Sequence, residues 1–278
     1  MSIEDNLQEP LLERLSASPE PEDPIKTQSS AKKRKRGPEQ DQSSRKTAKK
    51  SKTKKANAVD EDELDIELGI NTAFSHMDNQ LLADYVAQRT RKYESDLSLV
   101  ELEDKYISAT AIRDTTSFDK PRTLDNLPAF LEKFSGNTTK LWSASKKNGA
   151  PHTIIVAMAG IRAADLARVV RKFHTKDAKV AKLFGKHIKM QDAIKFLKST
   201  RTGIAVGTPA RIKDLLDDGA LATDRLERIV IDCSYIDQKK KGILETKETQ
   251  IALIQLLGEK QLRERYNSDS GSIDLLFY

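Results

Sequence analysis

The chain has 278 residues, of which 37% are hydrophobic and 32% charged, with a formal net charge of +6. Its one cysteine, Cys233, excludes an intrachain disulfide and a cysteine-based zinc site and fits a reducing compartment. No apolar run approaches the roughly 20 residues that cross a bilayer, and the acidic N-terminus lacks an apolar signal core, so a soluble intracellular protein is expected.

Charge is unevenly spread. Residues 1–55 hold 14 Lys/Arg and 9 Asp/Glu, whereas the remainder holds 34 and 33. Residues 1–30 carry Pro10, Pro19, Pro21 and Pro24 among Ser and Glu and read as disordered, with Leu11, Leu12 and Leu15 suited to a short docking helix. Five consecutive cations follow, Lys32, Lys33, Arg34, Lys35 and Arg36, and a second basic block spans residues 45–55. Such blocks repel themselves and stay solvated. They read as a flexible solubilising tail or as a nuclear or nucleolar import signal that also grips phosphate backbones, and the paired clusters favour the second reading. Asp60, Glu61, Asp62, Glu63, Asp65 and Glu67 then form an acidic linker. The expected division is a tail over 1–72, a helical preface over 73–135 and an α/β domain over 136–278.

From about His76, the spacing of Leu81, Leu82, Tyr85 and Val86 predicts a helix to about Tyr93. Ser98 with Glu101 predicts a capping box on a helix reaching about Tyr106. Residues 108–122 read as a loop. Thr123 is placed to cap a helix carrying Leu127, Phe130, Leu131 and Phe134, and Trp142 is expected to anchor the core.

The pattern then alternates. Thr153 to Met158 is a continuous apolar run, the mark of a strand buried on both faces of a parallel sheet. Helices over about 161–173, 190–197, 209–216 and 246–257 alternate with strands near 180–184, 204–206, 229–231 and 273–278. Thr208 before Pro209 is a sound helix start, because Pro lacks the N–H that would be unpaired there. Five strands alternating with helices predict a doubly wound parallel sheet. Ile229-Val230-Ile231 ends on Asp232, which places a carboxylate at the C-terminal edge of the sheet, where such folds bind ligands.

Several of these segments resemble DEAD-box helicase motifs. IIVAMAGIRAADLA (154–167) resembles the strand and turn carrying Pro-Thr-Arg-Glu-Leu-Ala, Phe184-Gly185 sits at the Gly-Gly turn, VGTPARIKDLL resembles the Thr-Pro-Gly-Arg segment, and IVIDCSY resembles the strand ending in Asp-Glu-Ala-Asp. The resemblance covers about 150–278 and implies a RecA-like core of P-loop NTPase type. The phosphate-cradling loop is missing: no G-x-x-x-x-G-K-[ST] occurs. Cys233 stands where the water-orienting Glu would be, and a second RecA-like domain is not expected beyond Tyr278. Phosphoryl transfer rests on positioning and charge, so no catalysis, nucleotide or cofactor is expected. Over about 70–278, the chain is identified more closely with the U3-containing 90S pre-ribosomal complex subunit family. His76-Met77-Asp78, Leu81-Leu82-Ala83-Asp84-Tyr85, VGTPARI, IDCSYIDQKKKGI and IDLLFY carry that resemblance.

That resemblance implies a non-enzymatic nucleolar factor of the 90S pre-ribosome, or small-subunit processome, that assists 18S rRNA maturation and binds pre-ribosomal RNA or assembly proteins. The rival readings are a weak RNA-dependent ATPase and a nuclear chromatin or DNA scaffold. The helicase resemblance places Thr208 and Arg211 against an RNA backbone, which free N–H groups at a helix start would favour; the plainer reading of Thr208-Pro209 is a helix start alone. Arg162 either assists them or is an exposed helix arginine. Asp232 reads as a remnant hydrogen-bonded to nearby backbone and not as a metal ligand, since no phosphate is there to share the ion. Cys233 reads as a small buried hydrophobe. The four histidines, His76, His152, His174 and His187, show no metal-ligand spacing.

Overall fold

The structure is a computed structural model that describes residues 63–185, 188–268 and 270–278. The tail, including Lys32, Lys33, Arg34, Lys35 and Arg36, lies outside the described residues. Residues 63–72, grouped by composition with the linker, carry a small antiparallel pair, β1 (Leu64–Asp65) and β2 (Ile70–Asn71). Its turn uses Gly69 at φ +65, and the Asp65 carboxylate accepts from the Leu68 N–H. The Asn71 N–H donates to the Ser234 carbonyl, which ties the pair to the main domain.

Helix α1 (Asn79–Tyr93) starts where the Asp78 side chain accepts from the Leu81 N–H. It buries Leu82, Ala83 and Val86. Tyr85 donates to Glu245, and Gln250 donates to Thr90 at 2.8 Å, so α1 is fastened to segments some 160 residues away. Helix α2 (Leu99–Lys105) has the full capping box between Ser98 and Glu101. Helix α3 (Leu127–Phe134) follows a one-turn 3-10 segment, Leu124–Asn126. The Thr123 side chain does not cap it.

The central strand β3 (Thr153–Val156) is buried throughout. It runs into α4 (Gly160–Val169), which ends in a 3-10 turn, Val170–Phe173. Then come β4 (Lys179–Leu183), α5 (Met190–Ser199), β5 (Thr202–Gly207), α6 (Pro209–Asp217), β6 (Arg228–Ile231), α7 (Lys247–Leu257), the short α8 (Lys260–Arg263) and β7 (Asp274–Phe277). The strand order is β4-β5-β3-β6-β7, parallel throughout. This is the doubly wound α/β sheet expected.

The period-2 alternation of each strand divides two apolar layers. Ile154, Val156, Ala205, Ile229, Ile231, Leu275 and Phe277 face the layer that holds α1, α5, α6 and α7. Ile155, Ile204, Val206, Val230 and Leu276 face the layer with α3 and α4. The helical preface therefore supplies part of both cores. Trp142 corrects an expectation: it is 42% exposed, edge-to-face on Phe173 at 5.3 Å. In the 3-10 turn Thr138–Trp142, successive side chains diverge by about a third of a turn, and Leu141 takes the inward position.

Gly207 fixes how closely β4 and β5 meet. A Cβ there would sit 2.2 Å from the Leu183 carbonyl oxygen. Because that oxygen belongs to a paired strand, Gly207→Ala is expected to destabilise the domain by about 1–3 kcal/mol. Urea unfolding checks this; an unchanged midpoint would show that the strands can separate freely.

Candidate functional site at the carboxyl edge of the sheet

The connection after β3 runs toward β4, whereas that after β6 runs toward β7, so the strand order reverses between β3 and β6. A crevice forms at such a reversal outside the carboxyl ends of the strands. Gly160 opens α4 on one side and Asp232 ends β6 on the other. Asp232 is held in register by its N–H, which donates to the Val156 carbonyl at 3.0 Å.

The crevice is occupied by the protein itself. Arg162 donates from Nε to Asp232 Oδ2 at 2.8 Å and from Nη2 to Oδ1 at 2.9 Å, a bidentate pair. The two residues are 8% and 1% exposed. The guanidinium also lies over the Tyr235 ring, 4.2 Å from its centroid. Burial opposes its charge, but the hydrogen bonds and charge of Asp232 outweigh that, and the guanidinium holds its proton more firmly than usual. Arg162 thus fits neither sequence reading: it is not an exposed helix arginine, and its fork is not presented to a phosphate. Asp232 pairs with a side chain 70 positions away, not merely with local backbone. With both carboxylate oxygens held by a cation, it is poorly disposed to ligate a metal.

The next residues are equally committed. The N–H groups of Cys233 and Ser234 both donate to the Tyr278 carbonyl at 2.8 Å, and the Cys233 thiol points at the same oxygen at 3.2 Å. Burial pushes that thiol far up, with Asp232 and Glu245 adding to the effect and Arg122 opposing it. Cys233 is a buried space-filler, as expected, in surroundings that keep its thiol protonated. Arg122 braces the last strand from below by donating to the Phe277 carbonyl at 2.7 Å and to Thr115 Oγ1 at 2.9 Å.

Thr208 and Arg211 sit elsewhere on this edge. Thr208 precedes α6, and its side chain makes no capping hydrogen bond, which leaves first-turn N–H groups open. Arg211, one turn along, donates to the Ile188 carbonyl at 3.1 Å and reaches over Gly185. The structure therefore brings Thr208 and Arg211 together at the β4–β5 end and withdraws Arg162 into the β3–β6 crevice. Sequence reasoning missed the Arg162–Asp232 pair because both residues stood in separate motifs. The available signal was an arginine one turn into the first α/β helix and a carboxylate ending the neighbouring strand. Among the described residues, no cluster of three or more His, Cys, Asp or Glu is placed to hold a metal, and no helix is long and apolar enough to cross a membrane.

Comparison with known proteins matches residues 24–278 to the family described as U3-containing 90S pre-ribosomal complex subunit. Protein CMS1 of Chaetomium thermophilum is 55% identical over 230 residues, covering 83% of this chain and 92% of that protein. Protein cms1 of Schizosaccharomyces pombe is 34% identical over 197 residues, covering 71% and 69%. Among solved structures, a DEAD box protein of Methanococcus jannaschii is 22% identical, with a TM-score of 0.38, over 57% of this chain and 37% of that one.

Proposed function

This chain belongs to the family of U3-containing 90S pre-ribosomal complex subunits, and from that membership we propose that it serves as a non-catalytic assembly factor of the small-subunit processome. In this reading it resides in the nucleolus and binds pre-ribosomal RNA or assembly proteins while 18S rRNA matures. Lys32 to Arg36 act as import signal and phosphate grip, and Thr208 with Arg211 offers open N–H groups and a cation to an RNA backbone.

The observation that carries the non-enzymatic reading is the Arg162–Asp232 pair. A carboxylate at a switch point serves phosphoryl transfer by sharing a metal ion with phosphates. Here both of its oxygens accept from one guanidinium, so freeing it means abandoning a buried counter-charge. The crevice holds the sheet to α4 and leaves recognition to the surface. Sedimentation of nuclear extract tests the proposal: the chain is expected in large pre-ribosomal particles and is expected to leave them after RNase treatment. Migration as a free protein would refute it.

A further inference from the structure

From residue 56 onward the charges almost cancel, yet 11 Lys/Arg and only Asp177 and Asp192 fall between residues 168 and 201, against 23 and 31 in the rest of that region. Those residues form the end of α4, strand β4 and helix α5. They build one margin of the sheet, because β4 pairs with β5 alone. Charge is therefore divided along the chain, with the segment that carries the β4 margin positive and the rest of residues 56–278 negative.

Four of these cations have carboxylate partners: Arg168 with Asp165, Lys172 with Glu132, Lys198 with Asp218 and Arg201 with Asp177. Arg171, Lys176, Lys179, Lys182, Lys189 and Lys195 have none within 4.0 Å among the described residues. Two aromatic side chains are exposed on the elements that flank the edge strand from the two layers: Phe196, at 37%, between Lys195 and Lys198 on α5, and Trp142, at 42%, on Phe173 at the end of the α4 segment, so a strand bound to both crosses the β4 edge. Lysines on an edge strand also keep sheets from pairing edge to edge. That role needs only Lys179 and Lys182 of β4 and leaves the excess on α4 and α5 without a purpose.

We propose that the β4 margin is a docking surface for single-stranded RNA, with the unpaired cations on phosphates and Phe196 and Trp142 as stacking platforms for bases. Cations interleaved with exposed aromatics are what a strand without sequence readout requires. A localised excess of positive charge also steers a polyanion to that margin. This deepens the assembly-factor reading and rests on its claim that the chain binds RNA. It assigns the RNA to a face distinct from the carboxyl edge.

The test measures anisotropy of a labelled single-stranded RNA of mixed sequence, titrated with full-length chain over a salt series. The background carries Lys32 to Arg36 and the seven cations of residues 45–55 changed to Gln, so that neither basic block of the tail masks the margin. Arg171→Glu, Lys182→Glu and Lys195→Glu together are expected to weaken binding about ten-fold or more and to lower the slope of log affinity against log salt by about 2. Phe196→Ala with Trp142→Ala is expected to weaken binding about five-fold or more and leave that slope unchanged. The three cations are exposed, so the charge variant should keep its melting temperature; Trp142→Ala also removes the contact with Phe173, so circular dichroism at the assay temperature is the check that the aromatic variant is folded. Undiminished binding by the folded triple variant overturns the docking surface while leaving the assembly-factor reading intact. No RNA binding by the unaltered chain overturns both. An equal loss of affinity for polyglutamate assigns the margin to an acidic protein and also overturns the proposal.

Discussion

Arg162→Ala is expected to destabilise the folded domain by about 3–5 kcal/mol, the cost of leaving the Asp232 carboxylate buried without its counter-charge. The pair is bidentate, with distances of 2.8 and 2.9 Å, and both partners are almost wholly shielded from water. A surface ion pair would be worth about 1 kcal/mol or less; burial makes the difference here. Asp232→Ala should cost a comparable amount, since it strands the guanidinium instead. Replacing both, Arg162→Met with Asp232→Leu, should recover most of the loss, because two apolar side chains incur no charge desolvation. Urea unfolding of the four proteins closes the cycle. Single variants within about 1 kcal/mol of the parent would mean that water reaches the crevice and the pair is not holding α4 to β6.

Acid is expected to destabilise the domain through His152. Burial and then the neighbouring Arg228 charge depress this imidazole to about 4 from its ordinary 6.5, with Glu227 opposing. Its Nδ1 lies 2.8 Å from Thr153 Oγ1, and its Nε2 makes no hydrogen bond of good geometry among the described residues. The sign follows from proton binding. Between the two values the unfolded chain takes up a proton that the folded one refuses, so stability is complete above about 6.5 and is lost as pH falls toward 4. The loss from this group is on the order of 3 kcal/mol. His152→Gln should remove it, and the stability curves of variant and parent should diverge across that window. Parallel curves would show that the imidazole is protonated in the native state.

Much of the fold was legible in the sequence, because strands buried on both faces read as unbroken apolar runs. Ile154 to Val156, Ile204 to Val206 and Ile229 to Ile231 all lie in the sheet where those runs place them. Caps were legible where the signal is local: Ser98 with Glu101 forms its box. Features decided by long-range packing were not. Trp142 is large and apolar, yet a single 3-10 turn can turn only one of Leu141 and Trp142 inward. The β1–β2 pair is too short for periodicity and owes its place to Asn71 and Ser234. The same limit applied at the site. Asp232 was visible as a carboxylate at a strand end and Cys233 as a buried small side chain, whereas the partner of Asp232 came from another motif. The positive margin escaped for a related reason: over residues 56–278 its charge cancels against acidic residues elsewhere, and only the topology gathers 168–201 along one edge.

The central claim is that the carboxylate at the switch point of this doubly wound sheet is locked to Arg162 and serves no nucleotide. Titration of the full-length chain with labelled ATP and magnesium addresses it directly. No saturable binding is predicted up to millimolar nucleotide, with or without RNA. Saturable binding in the micromolar range would show that Asp232 is released from Arg162 when nucleotide arrives, and would contradict the account.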